Sequence, residues 1–240
     1  MRAQPPAEAG SRLWFPDPRQ ALREGPWNGL LAVGGDLSCE RLLLAYRMGI
    51  FPWTGLPLTW WSPDPRAVIE FAEFHVPRSL ARLLRRGDYS ITFDRAFREV
   101  MAACAAPAPG RERTWISPGF IEAYTALHRA GYAHSLECWR QGVLIGGIYG
   151  VAIGGFFAGE SMFHLQSNAS KIALAHLVKH LQRRQYALFD IQMVTPVTRQ
   201  LGAREIPRED YLRRLSVALD LPRTFQEVDQ TEGKCGGGLS

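Results

Sequence analysis

The sequence predicts an α/β protein in which an irregular N-terminal region precedes a regular alternation of helices and strands. Its 240 residues, 46% of them hydrophobic, suffice for a substantial core. Beyond residue 65, segments with apolar residues three and four positions apart alternate with short apolar runs bounded by glycine. No apolar run reaches the ~18 residues of a membrane-spanning helix, and no signal-peptide pattern opens the chain. We therefore expect a cytoplasmic protein.

The first 65 residues differ in composition from the rest of the sequence. They contain five of the seven tryptophans and nine of the sixteen prolines, which disfavour helix interiors. One helix is predicted in this region, over Ser38–Met48, with Ser38 or Asp36 as its cap. We predict a small N-terminal domain over residues 1–65, a second domain over 66–230, and a disordered, glycine-rich tail over 231–240.

The first half of the second domain is predicted to contain one strand and three helices. The apolar run Ala67–Phe71 favours a strand. Helical spacing then recurs over Arg78–Arg86, Phe93–Ala105 and Pro118–Ala130. Gly131 follows the last of these, as is common at the C-terminal end of a helix.

The second half is predicted to alternate strands with helices. Polar and apolar residues alternate over Ala133–Trp139, and Val143–Phe163 is rich in glycine and β-branched residues, which favours two strands joined at a glycine pair. Leucines at helical spacing predict an amphipathic helix over Ser170–Arg184. A strand over Tyr186–Val194 and a last helix over Glu209–Leu219 complete the pattern.

Four arginines lie on one face of the predicted Arg78–Arg86 helix. They are spaced at i, i+4, i+7 and i+8, and the segment contains no acidic residue. Three leucines occupy the opposite face. The arginine face is either a solvated surface or a binding surface for a row of phosphates, because each guanidinium can hold two phosphate oxygens.

Two strands carry polar residues that apolar strands rarely contain. Strand alternation puts Glu160 on one face with Phe156, Ala158 and Met162, where a carboxylate needs an ion pair or a ligand. Asp190 and Gln192 share a face of the next predicted strand. That pair either faces solvent at a sheet edge or forms a site that accepts protons and aligns an attacking group.

Several kinds of site are not indicated. The four cysteines form no CxxC pair, and His176 and His180 have helical i, i+4 spacing but no third ligand nearby in sequence. Neither a Walker loop nor a GxGxxG motif is present. We therefore expect no metal site and no nucleotide-phosphate loop.

A series of short motifs runs in order from about Leu13 to Leu215. They are Gly29–Ser38, Leu44–Trp53, Trp60–Arg66, Thr114–Ile116, His134–Glu137, Gly146–Val151, Gly159–Phe163, Asn168–Lys171, Asp190–Gln192, Leu201–Ala203 and Glu205–Pro207. The ordered set resembles the bacterial leucyl/phenylalanyl-tRNA–protein transferases. Each motif alone is weak, whereas the order and coverage are highly specific.

The resemblance implies a fold, a reaction and a set of partners. Members of this family transfer Leu or Phe, and Met less well, from aminoacyl-tRNA to proteins that begin with Arg or Lys, which creates an N-terminal degradation signal. The family fold is a small N-terminal domain plus a GNAT-like acyltransferase domain with a mixed central sheet. The resemblance also implies that neither a metal nor CoA is used, and we expect a monomer that does not bind membranes.

The resemblance also implies roles for particular residues. The catalytic residues are Asp190, Gln192 and Glu160; the substrate-binding residues are Trp53, Trp115, Ile148, Met162 and Phe163; the tRNA-binding residues are Arg78, Arg82, Arg85 and Arg86. Asp190 is expected to accept a proton or to orient the amine.

Two rival functions stay open at this point. A CoA-dependent GNAT acetyltransferase requires an (Arg/Gln)-x-x-Gly-x-(Gly/Ala) loop, and the segment Arg199–Arg204 fails at its last position. A non-catalytic RNA-binding protein would use the arginine helix and the aromatic residues, but it leaves Glu160, Asp190 and Gln192 without a purpose.

Overall fold

The computed structural model describes residues 6–55, 57–107 and 114–226, so the predicted tail over 231–240 lies outside the described residues. The helices are α1 (Cys39–Arg47), α2 (Arg78–Arg86), α3 (Phe97–Ala105), α4 (Pro118–Arg129), α5 (Ala169–Arg183), α6 (Pro196–Gln200) and α7 (Arg208–Leu219). The strands are β1 (Ala7–Glu8), β2 (Leu30–Val33), β3 (Phe51–Gly55), β4 (Leu58–Trp61), β5 (Arg66–Ile69), β6 (Ser90–Phe93), β7 (Ala133–Arg140), β8 (Val143–Ile153), β9 (Phe156–His164), β10 (Leu188–Gln192) and β11 (Ala203–Ile206). None of the described helices is long and apolar enough to cross a membrane.

A seven-stranded mixed sheet forms the centre of the molecule, in the order β11-β5-β10-β9-β8-β7-β6. Among these strands β9 and β10 pair in parallel, and their other neighbours pair antiparallel. Strands β8 and β9 are joined at Gly154–Gly155, as the glycine pair predicts. The mixed sheet and its helices confirm the predicted α/β class.

Helices cover both faces of this sheet. Leu80 of α2 and Leu174 of α5 belong to the apolar core on one face, where Val197 of α6 also packs. Val100 of α3 and Phe120 of α4 belong to the core on the other face, together with buried residues of α1 and α7. We call these the α5 face and the α4 face.

The N-terminal region folds into a four-stranded sheet of order β1-β2-β4-β3, with α1 beside it. Ser38 caps α1, since its side chain accepts a hydrogen bond from the Arg41 amide. Trp60 is fully buried and joins the same core as the α4 face. The division into domains near residue 65 remains a proposal.

The structure corrects one predicted element and adds others. The predicted helix over Phe93–Ala105 is in fact the end of β6 followed by α3, which begins at Phe97. Asp94 separates them because it has a left-handed φ of 58°, and its carboxylate accepts a hydrogen bond from the Ser135 amide. The N-terminal strands, β6, α6 and β11 were not predicted.

Candidate active site

The parallel strands β9 and β10 separate partway along their length. Their pairing begins at Leu188 and Phe156 and ends at Asp190 and Ala158. Beyond that point a cavity of about 250 Å³ lies between the two strands. At the fork, Glu160 is the extra residue of a β-bulge against β8, and Gln192 has a left-handed φ of 56°. Both irregularities direct polar side chains toward the opening.

The cavity has largely apolar walls and opens on the α5 face. Its apolar lining residues are Ile148, Met162, Leu174, Ile191 and Met193. Polar groups come from Glu160, Ser161, Gln192, Thr195 and Thr198. A concave apolar site with a few converging polar groups is typical of ligand binding.

The bulge at Glu160 overturns the predicted alternation along β9. Met162 packs with the core of the α5 face, whereas Ala158 packs with the core of the α4 face. The prediction that Glu160, Ala158 and Met162 share one face is therefore wrong, because the extra residue reverses the alternation. Phe163 is buried in the core of the α4 face and does not line the cavity, unlike Ile148 and Met162.

Asp190 is fully buried and holds four hydrogen bonds. Arg66 donates from Nε to Oδ1 at 2.9 Å and from Nη2 to Oδ2 at 2.6 Å. The Tyr211 hydroxyl donates to Oδ2 at 3.0 Å, and the Gln192 amide donates to Oδ1 at 2.9 Å. The carboxylate therefore fixes the left-handed turn that carries the Gln192 side chain.

Arg66 is itself enclosed on all sides. Its Nη1 donates to the Gly49 carbonyl at 3.1 Å, and its guanidinium lies 4.9 Å from the Phe51 ring centre and 4.4 Å from the Tyr211 ring centre. Burial works against its charge, but the Asp190 carboxylate outweighs that effect and raises the pKa of Arg66 above its ordinary value. The pair is a buried, charged and hydrogen-bonded ion pair.

Glu160 lies at the fork in a different environment. It is partly exposed to the cavity, its Oε1 accepts from Gln192 Nε2 at 3.3 Å, and it shares a hydrogen bond with the Tyr46 hydroxyl. Burial raises the pKa of Glu160 to about 8, against the lowering effect of the Tyr46 hydrogen bond. This carboxyl group therefore titrates near neutral pH.

Three buried tyrosines lie behind Glu160. The Tyr46 and Tyr124 hydroxyls contact each other, and the Tyr149 hydroxyl is buried with no partner among the described residues. Burial and the nearby Glu160 carboxylate raise the pKa of all three well above the ordinary value. Sequence reasoning did not select these tyrosines or Arg66, although Tyr46, Arg66 and Tyr149 fall within the motifs.

The two tryptophans expected to bind substrate are half-buried. The Trp53 ring meets Trp61 edge-on at 5.2 Å, and the Trp115 ring meets Phe120 edge-on at 5.2 Å. Neither ring lines the cavity between β9 and β10.

All four arginines of α2 are exposed. Leu80 is buried beneath them, which confirms the amphipathic arrangement. Arg86 is 3.3 Å from Asp88; within the described parts of the chain, Arg78, Arg82 and Arg85 have no ion-pair partner. The arginine face is thus an exposed cationic surface.

Several histidines make structural contacts. His180 hydrogen-bonds the Phe225 carbonyl at 2.8 Å. Asp94, His128 and His134 lie close enough together to share an ion, but the three are already engaged. His134 Nδ1 is 2.8 Å from Asp94 Oδ2, and His128 Nδ1 is 2.7 Å from the Ala133 carbonyl. We assign no metal site to this cluster.

Solved structures with related shapes overlap only weakly with this chain. One is described as L-PGS from Bacillus licheniformis, with 14% identity, 70% of this chain and 54% of that chain covered, and a TM-score of 0.41. Another is a GCN5-related N-acetyltransferase from Kribbella flavida, with 11% identity, 68% and 59% covered, and a TM-score of 0.37. No conclusion is drawn from overlaps of this size.

Sequence comparisons are far more specific. The leucyl/phenylalanyl-tRNA protein transferase model matches residues 68–216, and the model for the N-terminal domain of the same proteins matches residues 35–64. A leucyl/phenylalanyl-tRNA–protein transferase from Thiobacillus denitrificans is 54% identical over 87% of this chain and 92% of its own. One from Pseudomonas fluorescens is 52% identical over 88% and 93%. The chain therefore belongs to the leucyl/phenylalanyl-tRNA–protein transferase family of aminoacyltransferase enzymes.

Proposed function

We propose that the protein transfers Leu or Phe, and Met less well, from aminoacyl-tRNA to the N-terminal α-amino group of proteins that begin with Arg or Lys. The observation that carries this proposal is the apolar cavity at the fork of β9 and β10, with Glu160 and Gln192 at its polar edge. Named relatives that are 52–54% identical over most of this chain support it. The product would be a degradation signal in the cytoplasm.

The cavity suits the side chain of the transferred amino acid. Its apolar walls, which include Ile148, Met162 and Ile191, favour Leu, Phe and Met. They disfavour charged side chains, which would lose their hydration without gaining partners. We propose that Trp53 and Trp115 stack on the terminal adenosine of the tRNA.

The reaction requires a neutral amine. An α-amino group has a pKa near ~8, so a large part of it is protonated at neutral pH. Attack of the amine nitrogen on the ester carbonyl forms the C–N bond and breaks the C–O bond to the ribose. The amine gives up one proton, and the departing ribose hydroxyl gains one.

Glu160 is our candidate for the proton acceptor. Its pKa of about 8 matches that of the amine, which favours proton transfer between the two groups. Gln192, whose amide contacts Glu160, would align the amine or stabilise the oxyanion. Holding ester and amine together supplies a further part of the rate.

Asp190 is better suited to orientation than to proton transfer. It has no exposed surface, and both of its carboxylate oxygens already accept hydrogen bonds from Arg66, Tyr211 or Gln192. A carboxylate enclosed by fixed donors has no free surface from which to reach the amine. We therefore propose that Asp190 positions Gln192, and that it acts on the orientation of the amine only through Gln192 rather than by accepting a proton.

The arginines of α2 are our candidate for the tRNA contact. Four exposed guanidinium groups on one helix face suit a row of phosphates, whose contacts recognise charge and shape rather than sequence. The sequence of the bound tRNA would matter little for this surface.

A transfer assay tests the proposed function. The protein is incubated with radiolabelled Leu-tRNA or Phe-tRNA and a peptide that begins with Arg, with a matched peptide that begins with Ala as control. Label should move to the Arg peptide and not to the Ala peptide. Transfer from labelled acetyl-CoA instead, or tRNA binding without transfer, would refute the proposal.

A further inference from the structure

Charge is distributed unequally between the two faces of the central sheet. The helices of the α5 face, α2, α5 and α6, carry eight Lys or Arg residues and no acidic residue. The helices of the α4 face, α1, α3, α4 and α7, carry seven Lys or Arg residues and five acidic residues. Among the described helices, the excess of positive charge is thus concentrated on the α5 face.

The cavity opens on this same cationic face. Leu174 of α5 and Thr198 of α6 line it, together with Ile148 and Met162 of the sheet. Helix α2 packs against α5. A polyanion that places its end in the cavity and its stem on the α2 arginines therefore approaches along α5.

Two cationic residues of α5 lie on the exposed side of the helix, where such a polyanion would pass. Lys179 and Arg183 are four residues apart, so they lie on one face of the helix, and both are exposed. In the described part of the chain neither has an ion-pair partner. Leu174 lies five residues before Lys179, which corresponds to about 8 Å along the helix axis.

His176, about one turn before Lys179, is linked to the end of α2 through Tyr89. Burial and the charge of Lys179 lower the pKa of His176, whose Nε2 is 3.2 Å from the Tyr89 hydroxyl. That hydroxyl is 3.5 Å from the Leu84 carbonyl in the last turn of α2, the turn that carries Arg85 and Arg86. The cations of α5 and α2 are therefore neighbours on one surface.

We propose that α5 is a second tRNA-contacting helix, in which Lys179 and Arg183 continue the arginine surface of α2 toward the cavity. This inference rests on the proposed function, because it takes the polyanion to be aminoacyl-tRNA. The contacts are to phosphates, so they add affinity and salt dependence without base specificity. Neither residue touches the reacting groups.

The test measures binding of a fluorescent tRNA to the full chain at several salt concentrations. The Lys179→Ala/Arg183→Ala variant keeps good helix-forming residues at exposed positions. We expect binding to weaken roughly tenfold at low salt, and the slope of log affinity against log salt to fall by about 1.8, because each lost phosphate contact removes about 0.9. Turnover at saturating aminoacyl-tRNA should stay at the wild-type level.

The matched control is Arg129→Ala/Arg213→Ala. It removes the same net charge from exposed positions of α4 and α7, on the opposite face. Control binding should stay within about twofold of wild type, since the lost charges lie away from the cationic face. Equal weakening in both variants, or none in the α5 variant, would overturn the inference. If tRNA binding depends on α5 but no amino acid is transferred, the proposed function fails while the binding surface stands.

Discussion

Two carboxyl groups on adjacent strands of the central sheet occupy opposite electrostatic environments. Asp190 on β10 is fully buried, yet it accepts four hydrogen bonds, two of them from Arg66. Glu160 on β9 is partly exposed, and its hydrogen-bond partners among the described residues, Tyr46 and Gln192, are uncharged.

The difference shows that partners, rather than depth of burial alone, decide what a carboxyl group can do. Asp190 is held by a fixed cation and by two further donors, so it serves as a rigid anchor. Without a cation in direct contact, desolvation raises the pKa of Glu160 to about 8. Two acids in such different environments can take different roles in one active site.

We expect the largest effect, on the free energy of unfolding, when Asp190 loses its ion-pair partner Arg66. Arg66→Leu leaves the Asp190 carboxylate buried without its charged partner. Breaking a buried pair in this way costs about 3–5 kcal/mol of the free energy of unfolding. Urea unfolding at neutral pH measures this free energy.

A double variant separates pairing from packing. Arg66→Leu/Asp190→Leu removes both charges, so it should recover much of the stability that the single variant loses. If Arg66→Leu costs less than about 1 kcal/mol, Asp190 does not depend on this ion pair, and the contrast with Glu160 is wrong.

The second effect concerns turnover. Glu160→Gln keeps the shape of the side chain but cannot accept a proton, so kcat should fall roughly 100-fold or more. Affinity for tRNA should change little, because Glu160 is not one of the cationic residues proposed to contact phosphates. A steady-state assay at saturating aminoacyl-tRNA measures kcat, with exposed Glu122→Gln as the control. Wild-type turnover in Glu160→Gln would remove Glu160 from the proton transfer.

Much of this site was accessible from the sequence, because its polar residues interrupt apolar strands. Glu160, Asp190 and Gln192 do lie together at the fork, as their placement on neighbouring strands suggested. The bulge at Glu160 was not predictable, since one extra residue changes the alternation without a composition signal. Because of the bulge, Met162 lies on the α5 face and not on the face of Ala158.

The partners of the site were harder to predict because they are distant in sequence. Arg66 lies 124 residues from Asp190, and Tyr46 lies 78 residues from Tyr124, so no local pattern connects them. Some motif residues prove to be structural. Glu137 is fully buried, where it accepts from the Ser135 hydroxyl at 2.5 Å.

The fold shows the same division between local and distant signals. Helices with strong apolar spacing, such as α2 and α5, were predicted almost to their ends. Among the N-terminal strands, β3 contains proline, and β1, β2 and β4 have at most four residues, so their local strand signal is weak. The strand β11 was missed because it is short and mostly charged at its centre.

A third effect is the pH dependence of stability. Between pH 4.5 and about 8, Glu160 is ionised in the unfolded chain but protonated in the folded one. The folded state binds more protons, so this group makes stability fall as pH rises through that window. Glu160→Gln removes the effect, and its stability relative to wild type should grow by about 1–2 kcal/mol across the window, allowing for solvent contact. Urea unfolding at pH 5 and pH 8.5 tests this; a constant difference would contradict it.

The smallest expected effect is a change in the pKa of Glu160 when its hydrogen bond with Tyr46 is removed. The Tyr46 hydrogen bond lowers the pKa of Glu160, so Tyr46→Phe should raise it further. If the ionised Glu160 accepts the proton, the rising limb of kcat against pH moves to higher pH, by about half to one pH unit for a single hydrogen bond. Tyr186→Phe is the control, because its buried hydroxyl has no partner among the described residues. If the rising limb of kcat against pH does not move in Tyr46→Phe, a group other than Glu160 controls it. If the limb moves in both variants, the cause is a general loss of packing.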